Sequence, residues 1–134
     1  MYKSEVKIRV RYADTDQMGY CYYGNYATYY EVARVEALRK LGISYKQLEE
    51  KQYMMPVLDF TIKYIKPAYY DEELVILCKI ETIPKVRIKF GYETYNEKKE
   101  MINFGSTTLV FVDKLTKKPL NCPKILLDKL NQYI

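Results

Sequence analysis

Two acidic residues, Asp14 and Asp16, stand in the stretch Tyr12-Ala-Asp-Thr-Asp-Gln-Met-Gly19, just before a run that reads as an amphipathic helix. A carboxylate in a loop that feeds a helix N-terminus can act as base or nucleophile. The unpaired N–H groups of the first helical turn can polarise a carbonyl and carry the charge that develops on its oxygen. Loop aspartates also cap helices and shape turns, and Asp14 suits that role. The chain contains no histidine. Its absence excludes Ser-His-Asp and Cys-His nucleophilic systems, histidine metal clusters and histidine-based dehydratase chemistry. Carboxylates, lysines, tyrosines and backbone dipoles are what remains. The three cysteines, Cys21, Cys78 and Cys122, are an odd number, widely spread and without a CxxC pair. Neither a disulfide framework nor a metal site is expected from them. Cys21 lies in the same loop, but nothing is present to activate it, and a buried, inert thiol is the expectation.

The elements that must hold this loop are legible in the hydrophobic pattern. Val6 to Tyr12 alternates apolar and basic residues, as a half-buried strand does. Tyr26, Tyr30, Ala33, Ala37 and Leu41 follow at steps of four, three, four and four, one apolar stripe on a helix from about Tyr23 to Leu41. Arg34, Arg39 and Lys40 fall on its far side, Glu31 is spaced to pair with Arg34, and Gly42 supplies a left-handed stop. At ~1.5 Å per residue such a helix is nearly 30 Å long, enough to lie along a whole sheet. Ser44-Tyr-Lys-Gln47 has the form of a capping box, with Ile43 and Leu48 placed as a hydrophobic staple for a short second helix that ends by Met54-Met-Pro56.

Four strands follow. Leu58, Phe60, Ile62 and Tyr64 alternate with polar residues, and so do Val86, Ile88, Phe90 and Tyr92. Leu74, Ile76, Cys78 and Ile80 keep the same period in a more apolar setting. Met101 to Asp113 carries four consecutive apolar residues from Leu109 to Val112, which predicts cover on both faces there. The connections at Ala68–Glu72, Pro84–Lys85 and Asn96–Glu100 are short and polar. Pro123 suits the first position of a terminal helix holding Ile125, Leu126 and Leu130. Strand, long helix, short helix, four strands and short helix make an α+β chain, expected to form a single domain over residues 1–134: one antiparallel sheet around one long helix. Such a two-layer arrangement leaves one sheet face poorly covered, so a dimer or larger assembly is expected.

Composition sets looser bounds. Of 134 residues, 49% are apolar or aromatic, and 22 basic against 17 acidic residues give a formal charge of +5. That mild excess suits a polyanionic small ligand as well as nucleic acid. The segment Val86-Arg-Ile-Lys-Phe-Gly-Tyr interleaves basic and aromatic residues as single-strand binders do. The order of elements is not that of an RNA-recognition sheet, and no nucleic-acid partner is expected. No apolar run is long enough for a membrane span, and the N-terminus lacks the apolar core of a secretion signal, so cytoplasm is the default location.

Asp14-Thr-Asp-Gln-Met-Gly19, then Tyr22-Tyr-Gly-Asn-Tyr26, then Tyr30-Glu-Val-Ala-Arg34, resembles the opening signature of the 4-hydroxybenzoyl-CoA thioesterase family. Tyr64-Ile-Lys-Pro-Ala-Tyr-Tyr-Asp-Glu-Glu-Leu74 and Phe111-Val-Asp113 resemble its later strand motifs, so the likeness runs the length of the chain. The resemblance implies a hot-dog fold, in which a five-stranded antiparallel sheet wraps one long central helix, and hydrolysis of an acyl-CoA thioester to free acid and CoA. It makes Asp16, three positions before the loop glycine, the catalytic aspartate, and the backbone N–H groups of Tyr23 and Gly24 the oxyanion donors. Many relatives carry histidine where Tyr23 stands and others tyrosine, so a mechanism needing that histidine cannot operate here. Asn25 and Tyr26 are further candidates for substrate contact, with fixing the loop or capping the helix the alternative for Asn25. The tyrosine cluster at Tyr20, Tyr22, Tyr23, Tyr26, Tyr29 and Tyr30 is either an acyl pocket or core. By the same resemblance, Lys85, Arg87 and Lys89 sit where some relatives grip the CoA phosphates, and sites lie at subunit interfaces. No cofactor is implied, since CoA enters as part of the substrate. A non-catalytic acyl- or CoA-binding hot-dog protein and an acyl-carrier-protein thioesterase are the alternatives.

Overall fold

In the computed structural model, which describes residues 1–134, the alternating segments are strands and the apolar stripe is a helix. The order is β1 (Tyr2–Arg9), a single 3-10 turn (Tyr12–Asp14), α1 (Asn25–Lys40), α2 (Tyr45–Glu50), β2 (Tyr53–Met54), β3 (Val57–Tyr64), β4 (Glu73–Ile80), β5 (Arg87–Tyr95), β6 (Met101–Val110), β7 (Val112–Asp113) and α3 (Lys124–Leu130). The main sheet has five antiparallel strands in the order β1-β4-β5-β6-β3, and β2 pairs with β7 in a separate two-stranded ribbon. This is the expected α+β hot-dog arrangement, a sheet folded about α1. No helix is long and apolar enough to cross a membrane.

Local sequence explains the helices. Gly42 adopts φ +85°, the left-handed stop that ends α1. The Ser44 hydroxyl accepts the Gln47 N–H at 3.1 Å and the Gln47 side chain accepts the Ser44 N–H at 3.2 Å, a reciprocal cap. Ile43 and Leu48 are buried beside it. α1 has 16 residues, so it starts two residues later and ends one earlier than the stripe predicts. Tyr23 and Gly24 belong to the turn before it.

The core is unusually rich in tyrosine, and it tolerates them because their hydroxyls find partners. Tyr30 stacks on Tyr92 with ring centroids 4.1 Å apart, and its hydroxyl donates to Asn103 Oδ1 at 2.6 Å. Tyr92 shares a 2.6 Å bond with Thr107, and Tyr2 donates to the Ala37 carbonyl at 2.6 Å. These rings seal the space between α1 and the inner face of β4, β5 and β6.

Several expectations need correction. The first strand ends at Arg9, because the Val10 N–H bonds Glu72 and its carbonyl takes the Asp71 N–H, which pulls the chain off the sheet. Arg34 is not on a solvated flank: it is 7% exposed, and its Nε donates to the Tyr45 hydroxyl at 3.3 Å. Tyr45 from α2 covers that side of α1. Glu31 makes no ion pair with Arg34, and the i,i+3 pair on α1 is Glu36 with Arg39. The last long strand breaks at Phe111, whose N–H bonds Val86 and whose carbonyl takes the Leu120 N–H, and β7 then joins β2. Pro123 caps α3 from outside the helix, with ψ 139°.

Candidate active site

The loop between β1 and α1 is built on Asp14. Its side chain is buried and its carboxylate accepts from the Arg11 N–H at 3.1 Å, Arg11 Nη2 at 3.0 Å and the Tyr29 hydroxyl at 2.8 Å. Burial alone would raise its pKa; the Arg11 bonds and the Tyr29 hydroxyl outweigh that and hold the carboxyl below the usual range. Asp14 is therefore an anion held in place by Arg11 and Tyr29, with donors on both of its oxygens. Tyr29 carries the opposite consequence: burial and the adjacent carboxylate push its phenol upward, so it stays a donor.

Asp16 lies in the tight turn that follows. Its N–H donates to the Tyr20 carbonyl at 3.1 Å, its carbonyl accepts the Gly19 N–H at 3.0 Å, and Gly19 takes φ +85° to close the turn. One carboxylate oxygen, Oδ1, accepts the Met18 N–H at 2.9 Å. The other has no partner in the chain. The half-buried carboxylate forms one wall of a cleft of about 490 Å³. Tyr23 and Tyr26 bring the start of α1 to that cleft, Met18, Tyr20 and Cys21 the loop, and Tyr64 to Pro67 the exit from β3. Tyr22 donates its N–H to the Asp14 carbonyl at 2.8 Å and Asn25 donates its own to Tyr22, but the N–H groups of Tyr23 and Gly24 meet no acceptor in the chain. They lie in the turn that leads into α1, with Gly24 at its N-cap position. The cleft thus joins a carboxylate with a free oxygen to Tyr23, and Tyr23 and the adjoining Gly24 carry N–H groups without acceptors; such groups can activate an attacking group and hold an oxyanion.

The other candidates separate. Tyr26 is buried at the cleft wall, its phenol pushed well up by burial. Asn25 donates its side-chain amide to the Asp14 carbonyl at 2.7 Å, which ties the helix start to the loop. Cys21 is buried, and burial raises its thiol above the ordinary value, which keeps it protonated. Lys85 and Arg87 are not at the cleft of their own chain. Tyr64 pairs with Asn103 and Asn103 with Thr94, whereas Arg87 stands at the far end of β5 opposite Val110, about 23 Å along the strand at ~3.3 Å per residue. Lys89 faces a broader depression of about 590 Å³ on the outer sheet face, beside the Lys79–Glu93 ion pair at 2.6 Å. Lys79 also lies 3.9 Å from Glu81 there, and no helix start borders that depression.

Sequence reasoning passed over the wall formed by Tyr64, Ile65, Lys66 and Pro67. Alternation marks Tyr64 as inward-facing and so suggests core, yet it is 44% exposed, and its hydroxyl reaches the Tyr23 carbonyl at 3.3 Å. Lys66 is ion-paired to Glu100 at the rim. The Tyr-Ile-Lys-Pro run at the strand exit was the available signal. No cluster of three or more metal-ligating side chains is present.

The sheet folded about α1 thus brings the Asp16 carboxylate and the Tyr23 turn to one cleft. The family model described as Thioesterase superfamily matches residues 18–103. YneP of Bacillus subtilis (strain 168), provisionally named an acyl-CoA thioesterase, is 37% identical over 133 residues, spanning 99% of this chain and 96% of that protein. The acyl-CoA thioesterase YbgC of Haemophilus influenzae is 30% identical over 118 residues, 87% of this chain and 86% of that one. A solved structure of a DHNA-CoA thioesterase from Staphylococcus aureus aligns with a TM-score of 0.87 at 37% identity, covering 100% of this chain and 85% of the other. The chain belongs to the thioesterase superfamily, and thioester hydrolysis is its class of reaction.

Proposed function

We propose that the protein hydrolyses an acyl-CoA thioester to free acid and CoA, with Asp16 as the working carboxylate and the Tyr23 and Gly24 N–H groups as oxyanion donors. The observation that carries this reading is a carboxylate with an unengaged oxygen in a cleft also lined by Tyr23, where the consecutive N–H groups of Tyr23 and Gly24 have no acceptor in the chain. With the thioester carbonyl oxygen on those N–H groups, Asp16 either attacks the carbonyl carbon or takes a proton from a water that does. The tetrahedral oxyanion collapses, the C–S bond breaks, and CoA leaves as a thiolate that needs little help from a general acid. In the first route water then cleaves the acyl-aspartyl anhydride; in the second the acid forms directly. Each oxyanion donor is worth about 2.7–4 kcal/mol of barrier in comparable sites. The names of YneP and YbgC support CoA over an acyl carrier protein as carrier.

Self-association belongs to the same reading. β3 is an edge strand with unpaired backbone groups on one side, and Leu58 and Phe60 on its inward face are 53% and 38% exposed. A second copy is the simplest cover, as a dimer or within a tetramer. Lys85 and Arg87 would then serve the CoA phosphates of a neighbouring subunit, which their distance from their own cleft favours. The test is thiol release from a panel of aromatic and aliphatic acyl-CoA and acyl-carrier-protein substrates. Turnover on acyl-CoA is expected; preference for the carrier protein would change the partner, and inertness on every substrate with measurable binding would leave a non-catalytic acyl- or CoA-binding protein.

A further inference from the structure

We propose that Asp14 and Tyr29 form a clamp that sets the position of the Asp16 carboxylate relative to the N-terminus of α1; the proposal rests on the thioesterase reading above. Asp16 hydrogen-bonds only within its own turn, to Met18, Gly19 and Tyr20, and no bond joins it to α1. The hydrogen-bonded path from the acid to the helix runs through Asp14, two residues earlier and 3% exposed. The Asp14 carbonyl takes the Tyr22 N–H at 2.8 Å and the Asn25 side-chain amide at 2.7 Å. Its carboxylate takes the Tyr29 hydroxyl at 2.8 Å. Asn25 and Tyr29 are four residues apart, one turn of the same helix flank, so Asp14 grips the first turns of α1 at two heights. Tyr22 is the residue immediately before the two open N–H donors. Arg11 closes the other side, its backbone and guanidinium both bonded to the Asp14 carboxylate. Asp14 and Tyr29 are thus positioning residues, touching no substrate atom. Tyr29 keeps its ring in the core for stability, but its hydroxyl reports to the site.

The test is Tyr29→Phe, which retains the ring and removes only the clamp, alongside Asp14→Ala and the double variant, assayed by steady-state thiol release below the melting temperature of each. A positional error of about 1 Å at a reacting centre costs up to about 100-fold, so kcat should fall on the order of 10- to 100-fold while KM stays near wild type. The double variant should lose no more than the worse single variant, because the two residues act as one device. Folded Tyr29→Phe protein with wild-type kcat, whatever its melting temperature, overturns the clamp, and it decides the matter alone if Asp14→Ala does not fold. Asp16→Asn separates the two layers. If Asp16→Asn is crippled while Tyr29→Phe is not, only the clamp fails; if Asp16→Asn turns over at the wild-type rate, the reading beneath it fails.

Discussion

Along β4 the inward residues Leu74, Ile76, Cys78 and Ile80 are sealed beneath α1, while along β3 the residues of the same period, Leu58, Phe60 and Tyr64, are 53%, 38% and 44% exposed. Both strands carry the alternation that marks a core face. They differ in what lies above them: α1 packs chiefly over β1 and β4 and reaches β3 through single rings, Tyr30 against Phe60 and Tyr26 against Tyr64. The sealed half holds the fold, with the stacked Tyr30 and Tyr92 and the buried Phe90 at its centre. The open half borders the candidate site. It meets the Asp16 loop and the start of α1 at the cleft, and its apolar edge is available to a second copy. Stability and function thus occupy different ends of one sheet, and substitutions can pull them apart.

The largest structural effect belongs to the sealed half. Phe90→Ala empties a fully buried site and should destabilise the chain by about 3–5 kcal/mol, read as a shift of the urea midpoint at constant slope. The same kind of change on the open half should leave folding nearly untouched. Leu58→Asp is expected to melt close to wild type while moving the protein toward monomer in sedimentation equilibrium; an unaltered oligomeric state would remove β3 as the contact edge. A smaller effect comes from pH. Asp14 has a folded-state pKa below its ordinary value of 3.8, so its contribution to stability is complete above that pH and is lost as pH falls through the folded value, where the unfolded chain binds more protons. The stability gap between wild type and Asp14→Asn should therefore narrow in acid below about pH 3.8 and be flat above it. A gap that widens in acid would contradict the ion pair and hydroxyl bond assigned to Asp14.

Much of the sealed half was legible from local pattern. The α1 stripe, Gly42, the Ser44–Gln47 box and the strand alternations each rest on contacts within a few residues or on a fixed period. The loop's motif singled out Asp16 over Asp14, and the two acids differ in their hydrogen bonding: Asp14 is held by Arg11 and Tyr29, and Asp16 keeps one oxygen free. The failures share a cause. Arg34 is buried because Tyr45 arrives from α2, and Tyr64 stays partly exposed because only the rings of Tyr23 and Tyr26 reach it. A period identifies the face a residue occupies; only tertiary packing decides whether that face is covered. Arg87 illustrates the same limit for distance, since its placement at the start of β5 follows from the pattern and its separation from the cleft follows from the sheet order.

The central claim is that Asp16 performs the hydrolysis, and Asp16→Asn tests it most directly, since the amide preserves size and the Met18 contact while removing the base and nucleophile. Thiol release from the best acyl-CoA substrate should fall on the order of 10²- to 10⁴-fold in kcat, with substrate binding retained. A variant that turns over at the wild-type rate would contradict the account.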